Sequence, residues 1–520
     1  MRTSPGQRKS RSCFDMRLTL TALAFLVILL LTSARPLIGA PAVVDVSQSS
    51  QASAQSYQRK LFRGSSYYFW TFYFDGTNTY YERSDDSTGT SWTGTRQLFF
   101  AGSVQPSVWL DADTVYAAFS TAGDILVRRG VIGGGAIAWS SPSTALAGNA
   151  SVSYNFATIC QDNNGFLWVA APAQSPAGYY ACATRSARSR DATSWEIPQA
   201  VSPISSSSLL YASVIPLREG DSYAVWNVQG SIRGKRYVNG TGWEATAVDI
   251  ATGFSGDQEK LFSAVSDRDG RVHLLYVAQS GRVCYKRYDG ASWGNEQILN
   301  DRTDSACPTI SINPSNLRTY ALWIEYKSRN IEHRSAILPS ISGNWRTEPG
   351  TTGNYTKSFL TSCYSSSSRI CRIYTQKSGS NYDVIFDGIA VSRISVLVSK
   401  SAFAFGPRPL NTWLAAETTL ITNDGNWSEN IYGKLSAFMS GAFAWTIAAA
   451  NGPDRCRAQW SVVSDAGPWN NIVPYDWDFL ITSNLQPGNS VALYFHIQTP
   501  TSTSSYNEYA SNLTVRAEDY

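Results

Sequence analysis

Histidine is scarce in this chain of 520 residues, with three in total, and only 16% of its residues are charged. Three histidines (His273, His333 and His496) and no C-x-x-C motif leave little from which to build a zinc site. A Ser-His-Asp triad would have to recruit one of them, and His273 and His333 fall within strand patterns. No G-x-S-x-G elbow, P-loop or dinucleotide fingerprint is present, so neither cofactor nor metal is expected. No long heptad or amphipathic helical period appears, which argues against a helical protein. Low charge combined with 43% hydrophobic residues excludes a disordered or acidic-tail class.

What is abundant is aromatic. Phe, Trp and Tyr make up 13% of the chain, and six tryptophans, Trp92, Trp139, Trp195, Trp243, Trp293 and Trp345, follow one another at intervals of 47, 56, 48, 50 and 52 residues. Spacing of this kind marks one supersecondary unit copied many times. In the fifth copy Lys260–Ser266 reads as a strand, Asp267–Gly270 as a turn, Val272–Ala278, Arg282–Tyr288 and Trp293–Leu299 as three further strands. The second strand carries a late aromatic in most copies (Tyr73, Phe119, Trp226, Tyr276, Trp323). The third carries an arginine (Arg83, Arg128, Arg185, Arg236, Arg287, Arg334). Units of four strands at this period are the signature of β-propeller blades. A weaker seventh copy covers Lys357–Ile389, its fourth strand supplied either by Ile394–Val398 or by Val43–Ser47. The fold class is therefore all-β: a seven-bladed, alternatively six-bladed, propeller over 57–398, then a β-sandwich over 399–520.

The N-terminus reads as an export leader. Arg2, Arg8, Lys9, Arg11 and Arg17 precede an apolar run from Leu18 to Leu31, followed by Ala40-Pro41-Ala42. Residues 1–42 are expected to be a signal peptide or, uncleaved, a signal anchor, since Leu18 to Ala34 is near the short limit for spanning a bilayer. No later apolar stretch is long enough to span, so membrane contact is expected only there. Residues 43–56, rich in Ser and Gln, read as a linker or closing strand. Loss of 1–42 lowers the formal charge from +4 to −1, which offers no electrostatic basis for binding nucleic acid. Of eight cysteines, proximity suggests the pairs Cys363–Cys371, Cys284–Cys307 and Cys160–Cys182, with Cys456 left over; buried free thiols are the equal alternative. Sequons at Asn149, Asn239, Asn354, Asn426 and Asn512 suit a glycosylated surface protein.

At the third-to-fourth strand turns, Ser84-Asp85-Asp86-Ser87-Thr88-Gly89-Thr90-Ser91-Trp92 resembles the Asp-box, S-x-D-x-G-x-x-W, of sialidase-like (BNR-repeat) propellers, with one residue inserted before the glycine. Ser189–Trp195 is a shorter relative without the glycine, and Tyr237–Trp243 and Tyr288–Trp293 are shorter still. The resemblance implies that these boxes are structural and lie away from the ligand face. The turns Asp162–Gly165 and Asp267–Gly270 are similar to the opening of a calcium loop, but the remaining ligands are missing, so they read as tight turns. Past Ser399, Leu420–Trp427 and Leu485–Ser490 resemble turns of the immunoglobulin-like or CARDB-like modules of prokaryotic exported proteins.

For sialidases the resemblance implies an arginine cluster, a tyrosine nucleophile activated by glutamate and an aspartate acid/base. The early R-I-P motif has no match; the nearest candidates are Arg59–Arg63 and Arg369-Ile370-Cys371. Acidic residues on the expected ligand face, in second-to-third-strand or blade-to-blade loops, are Asp75, Glu259, Asp304 and Glu325, and a glycosidase needs two of them at a defined separation. Asn78, Arg302 and Lys327 are candidates to fix sugar hydroxyls, while the six ladder tryptophans are expected to be packing anchors. The favoured function is non-catalytic recognition of a glycan or cell-surface polymer by an exported protein. A sialidase-like glycoside hydrolase and a structural component of a surface layer or appendage are the alternatives.

Overall fold

A computed structural model describes residues 41–519, apart from 93–95, 255–258, 260, 315–316, 338–344, 353–354, 367–368, 391–394, 401–402, 404–407, 426–427 and 474–476. The expected leader up to residue 40 lies outside the described residues, as do Lys260, Asn354, Ile394, Asn426 and Trp427. The described residues divide into two compact units, 41–390 and 395–519. Apart from one short 3-10 turn at Arg218–Gly220, the described elements are strands.

Among the described residues the first unit holds seven antiparallel sheets in chain order. The fifth shows the plan: Phe262–Ser266, Val272–Val277, Val283–Tyr288 and Gln297–Asn300 pair in sequence. Trp293 makes only an isolated bridge to Tyr288, so it stands in the turn before the fourth strand and not in the strand itself. The first strands neighbour one another around the unit, and Leu61–Arg63 of the first sheet lies against both the second and the seventh, which closes a ring. This is a β-propeller.

Closure uses the chain's early residues. Ala42–Ser47 pairs antiparallel with Asn381–Ala390 as the outermost strand of the seventh sheet, Ala42 opposite Phe386 and Ser47 opposite Tyr382. The other candidate for that place, around 394–398, belongs elsewhere: Val396–Val398 pairs with Glu417–Asn423 in the second unit. The boundary therefore falls before residue 398.

Apolar residues from facing sheets fill the layers between them, because a single four-stranded sheet cannot bury both faces. The side chains that pack deepest are not those of the sequence ladder. Trp70, Trp168, Trp226 and Trp323, all on second strands, are fully buried, whereas the six ladder tryptophans are half-buried. The reason is position. The ladder stands at the third-to-fourth turns, with one ring face on the neighbouring sheet and an edge in water. Trp92 packs on Phe386, Trp139 on Phe72 and Phe99, Trp243 on Trp168, Trp293 on Tyr223 and Trp345 on Tyr285, each reaching the preceding sheet.

The box at Ser84–Trp92 illustrates the turn chemistry. Asp86 Oδ1 accepts the backbone N–H groups of Thr88 at 2.7 Å and Thr90 at 3.1 Å, and Trp92 Nε1 donates to the Gly89 carbonyl at 2.9 Å. Burial pushes the Asp86 carboxyl up, but hydrogen bonds from Thr90 and Thr88 outweigh it and hold the group at about 2. Gly89 has φ +73°, and a Cβ there would stand 2.2 Å from the Phe386 ring, so the turn needs glycine for conformation and for close approach alike. The aspartates of the first-to-second turns are likewise occupied by their own loops: Asp162 accepts from Asn164 and Phe166, and Asp267 from Asp269 and Arg271.

In the second unit, two sheets share an apolar core. Ile421 and Leu493 come from one, Ile431 and Ile481 from the other. A turn at Gln486–Asn489 joins Phe479–Leu485 to Ser490–Gln498.

Candidate functional site

In a closed ring of sheets the first place to seek a ligand is the axis. Here it is filled by protein. Residues 52–60, between the closing strand and the first sheet, are all buried, and Ser53, Gln58, Arg59 and Lys60 hydrogen-bond to residues of other sheets or of their connections. Gln58 Nε2 donates to the Ala157 carbonyl at 2.8 Å and the Gln105 carbonyl at 3.1 Å. Ser53 Oγ donates to the Phe359 carbonyl at 2.9 Å, and Tyr57 packs on Tyr211 and Phe262.

Arg59 reaches furthest. Its guanidinium donates to Ser263 Oγ at 3.0 Å and the Ala264 carbonyl at 2.9 Å in the fifth sheet, to Thr309 Oγ1 at 3.2 Å in the sixth and to Ser362 Oγ at 3.2 Å in the seventh. Burial lowers its pKa to about 10, still above neutrality, and the ammonium of Lys60 is pushed well down by the same cause. Phe156, Cys307 and Phe359, where first strands meet this segment, have φ of +51°, +49° and +54°, a region that costs non-glycine residues energy and persists only under surrounding constraint. Residues 52–60, which run from the end of the 43–56 stretch into the Arg59–Arg63 candidate, are thus an axial plug. Arg59 is committed to holding it and is not presented to a ligand.

Beside the plug, the rim of second-to-third-strand turns and sheet-to-sheet connections carries a cavity of about 490 Å³. Phe74 and Phe100 of the first sheet and Phe156, between Ser153–Tyr154 and Thr158–Gln161 of the third, give it half-buried aromatic walls. Ser49 and Gln51 from the plug's entry, Ser103, Gln105, Ser120, Thr121 and Asn155 complete it with hydroxyls and amides. None of the lining residues is ionisable. Gln105 Nε2 donates to the Gln51 carbonyl at 3.1 Å, so one wall is anchored to the plug. Aromatic faces with neutral donors and acceptors suit a ligand that has both C–H faces and hydroxyls; they supply no acid, base or nucleophile.

The residues expected from sequence to form the site fall into two other groups on equivalent loops. In the first sheet Asp75 Oδ1 accepts the N–H groups of Thr77 and Asn78, each at 2.8 Å, and Oδ2 pairs with Arg96 at 3.4 Å. Asn78 Oδ1 accepts the Gly102 N–H at 2.9 Å. The second group gathers around the sixth sheet. Glu325 accepts from Asn300 Nδ2 at 2.7 Å and pairs with Arg302, Asp304 accepts the Lys327 N–H at 2.8 Å, and the hydroxyl of Tyr326 donates to Glu259. All four carboxylates therefore close turns, pair with arginine or hold a phenol. Asn78, Arg302 and Lys327 do not line the rim cavity.

Of the three histidines, His273 is buried between Tyr285 and Asp267, His333 is buried in the sixth sheet, and His496 stacks between Trp413 and Trp469 in the second unit. Phe74, Phe100 and Phe156 were missed by sequence reasoning. They interrupt no pattern, and three different segments bring them together.

No family model and no curated protein matches the sequence. Among solved structures, the chain is similar to the BP39L lectin from Burkholderia pseudomallei, at 13% identity, with 65% of this chain and 97% of that one covered and a TM-score of 0.46. It is similar to the polysaccharide lyase Uly1 at 10% identity, covering 67% and 97%, with a TM-score of 0.42. A leech intramolecular trans-sialidase follows at 11% identity, covering 55% and 67%, with a TM-score of 0.40.

Proposed function

We propose that this protein is an exported, non-catalytic propeller that recognises a neutral portion of a glycan or cell-surface polymer in the rim cavity between the first, second and third sheets. The observation that carries the proposal is the lining: three phenylalanine rings among hydroxyls and amides, without an ionisable group. Sugar rings present C–H faces to aromatics and hydroxyls to amides, so such a site gains apolar burial and directed hydrogen bonds together. Export is supported by the basic, apolar and small-residue order of residues 1–42, and the second unit serves in this reading as a spacer or anchor of immunoglobulin-like type.

The hydrolase reading draws on one observation, the Tyr326 hydroxyl held by Glu259 on the same rim. Burial first, and the neighbouring Cys307 and Glu259 next, push that phenol far above its ordinary pKa. This disfavours the phenolate a nucleophile would need. A glycan array probed with residues 43–520 tests the proposal. Binding to neutral saccharides that survives 0.5 M salt is expected, since the cavity holds no charge to screen. An array blank at every salt concentration would instead favour a structural role in a surface layer.

A further inference from the structure

Three cysteine pairs were suggested by proximity in sequence, and the fold separates them sharply. Cys160 packs in the layer between the third and fourth sheets and Cys182 in the layer between the second and third, on opposite faces of one sheet. Cys284 and Cys307 likewise belong to different layers. Neither pair can meet without reversing a strand, because successive side chains alternate faces.

Cys363 and Cys371 do meet. Cys363 follows the seventh sheet's first strand, Lys357–Ser362, and Cys371 lies in the second, Arg369–Ser378. The register that sets Ser362 opposite Arg372 continues to place Cys363 opposite Cys371. The Cys363 N–H donates to the Cys371 carbonyl at 2.9 Å, and the Cys371 N–H donates to Cys363 Sγ at 3.4 Å. Both are buried as free thiols, at 1% and 0% exposure, in one apolar layer. Directly opposed residues of an antiparallel pair have Cβ atoms ~4.5–5.5 Å apart, at the edge of the range a disulfide spans.

We propose that Cys363 and Cys371 are a modification site, oxidised in the mature protein to a cross-strand disulfide that joins the first two strands of the ring-closing sheet. The chemistry is exchange with a disulfide donor, either the oxidised form of a thiol–disulfide oxidoreductase or a small-molecule disulfide. Either thiolate can start the exchange; where Cys363 does, it attacks one donor sulfur, forming a mixed disulfide and expelling the other sulfur as a thiolate. The Cys371 thiolate then attacks Cys363 Sγ, forming the S–S bond and releasing the second donor sulfur. Two protein thiols are oxidised, the donor disulfide is reduced to two thiols, and the two cysteine protons end on the donor.

In the folded ring, hydrogen bonding from Cys371 and the nearby Arg59 guanidinium lower the Cys363 pKa, while burial raises that of Cys371. Because both sulfurs are enclosed in the native ring, exchange precedes docking of the seventh sheet. The site is independent of what the rim cavity binds.

The test is a thiol map of the full chain secreted from a host with an oxidising export compartment. The protein is denatured, alkylated with N-ethylmaleimide without reductant, and cut with trypsin. Trypsin cleaves after Arg369, so the oxidised protein yields two peptides, one holding Cys363 and one Cys371, joined by S–S and separated on reduction. Cys160, Cys182, Cys284, Cys307 and Cys456 should all be alkylated. Alkylation of both Cys363 and Cys371, or either one linked to a different cysteine, overturns the proposal. Unfolding and refolding wild type with reductant should lower its melting temperature by roughly 5 °C, whereas Cys371→Ala should not respond to reductant. An equal response in that variant would also overturn it.

Discussion

The indole Nε1 of Trp293 donates to the phenol of Tyr223 at 2.9 Å, joining residues 70 positions apart on neighbouring sheets. The same two rings meet edge to face, with centroids 5.7 Å apart. The contact shows what the repeat period accomplishes: each turn tryptophan leaves its own sheet to cover the one before it.

Half-burial sets the scale of that contact. Trp293→Ala should destabilise the propeller by about 2–3 kcal/mol, less than the ~3–5 kcal/mol of a fully buried aromatic such as Trp226→Ala. Trp293→Phe keeps a ring but leaves the Tyr223 hydroxyl without its donor, at a cost of about 1 kcal/mol. Urea unfolding of the three variants should give that order. A Trp293→Ala loss equal to or above that of Trp226→Ala would contradict the half-buried placement.

The plug makes a different demand. Arg59 spreads its donors over three sheets, and a lysine has one nitrogen with which to replace a planar fork. Arg59→Lys should therefore cost about 2 kcal/mol or more by leaving buried acceptors unpaired. A urea midpoint within error of wild type would mean that the axis is not held by this side chain.

Acid should weaken the first unit through His273. Burial lowers its pKa, against Asp267, which favours the protonated form, with Arg287 and Arg271 opposing protonation. Tyr285 closes the other ring nitrogen at 2.6 Å. A histidine lowered on folding binds its proton more readily in the unfolded chain, so stability is full above ~6.5 and falls as the pH drops below it. The melting temperature should decline between pH 7.5 and 5.5, and His273→Gln should flatten the decline. His496, also lowered by burial and by Arg457, has the same sign in the second unit; a slope unchanged in His273→Gln would contradict the role given to His273.

Local features were legible in the sequence. Trp92 to Trp345 mark turns, Asp162 and Asp267 cap their own loops, and His273 alternates with apolar neighbours, all within one sheet. What needed the whole ring was not. Gln58, Arg59 and Lys60 gave no sign of an axial role because the carbonyls that accept their side chains, those of Ala157, Ala264 and Pro106, lie far away in sequence. Which face of a strand a cysteine occupies separates Cys363–Cys371 from the other suggested pairs, and that too depends on register. Asp75 and Glu325 stood out as charges on loops, yet their partners, Arg96 and Arg302, lie one strand away.

In the proposed function the rim cavity recognises a saccharide without turning it over. The most direct test is calorimetric titration of the best array saccharide into wild type, Phe74→Ala and Glu325→Gln, with chromatography of the saccharide afterwards. The account predicts binding to wild type and Glu325→Gln alike, at least tenfold weaker binding to Phe74→Ala with folding intact, and saccharide recovered unchanged. Cleaved saccharide from wild type that Glu325→Gln or Asp75→Asn abolishes, or full affinity in Phe74→Ala, would contradict it.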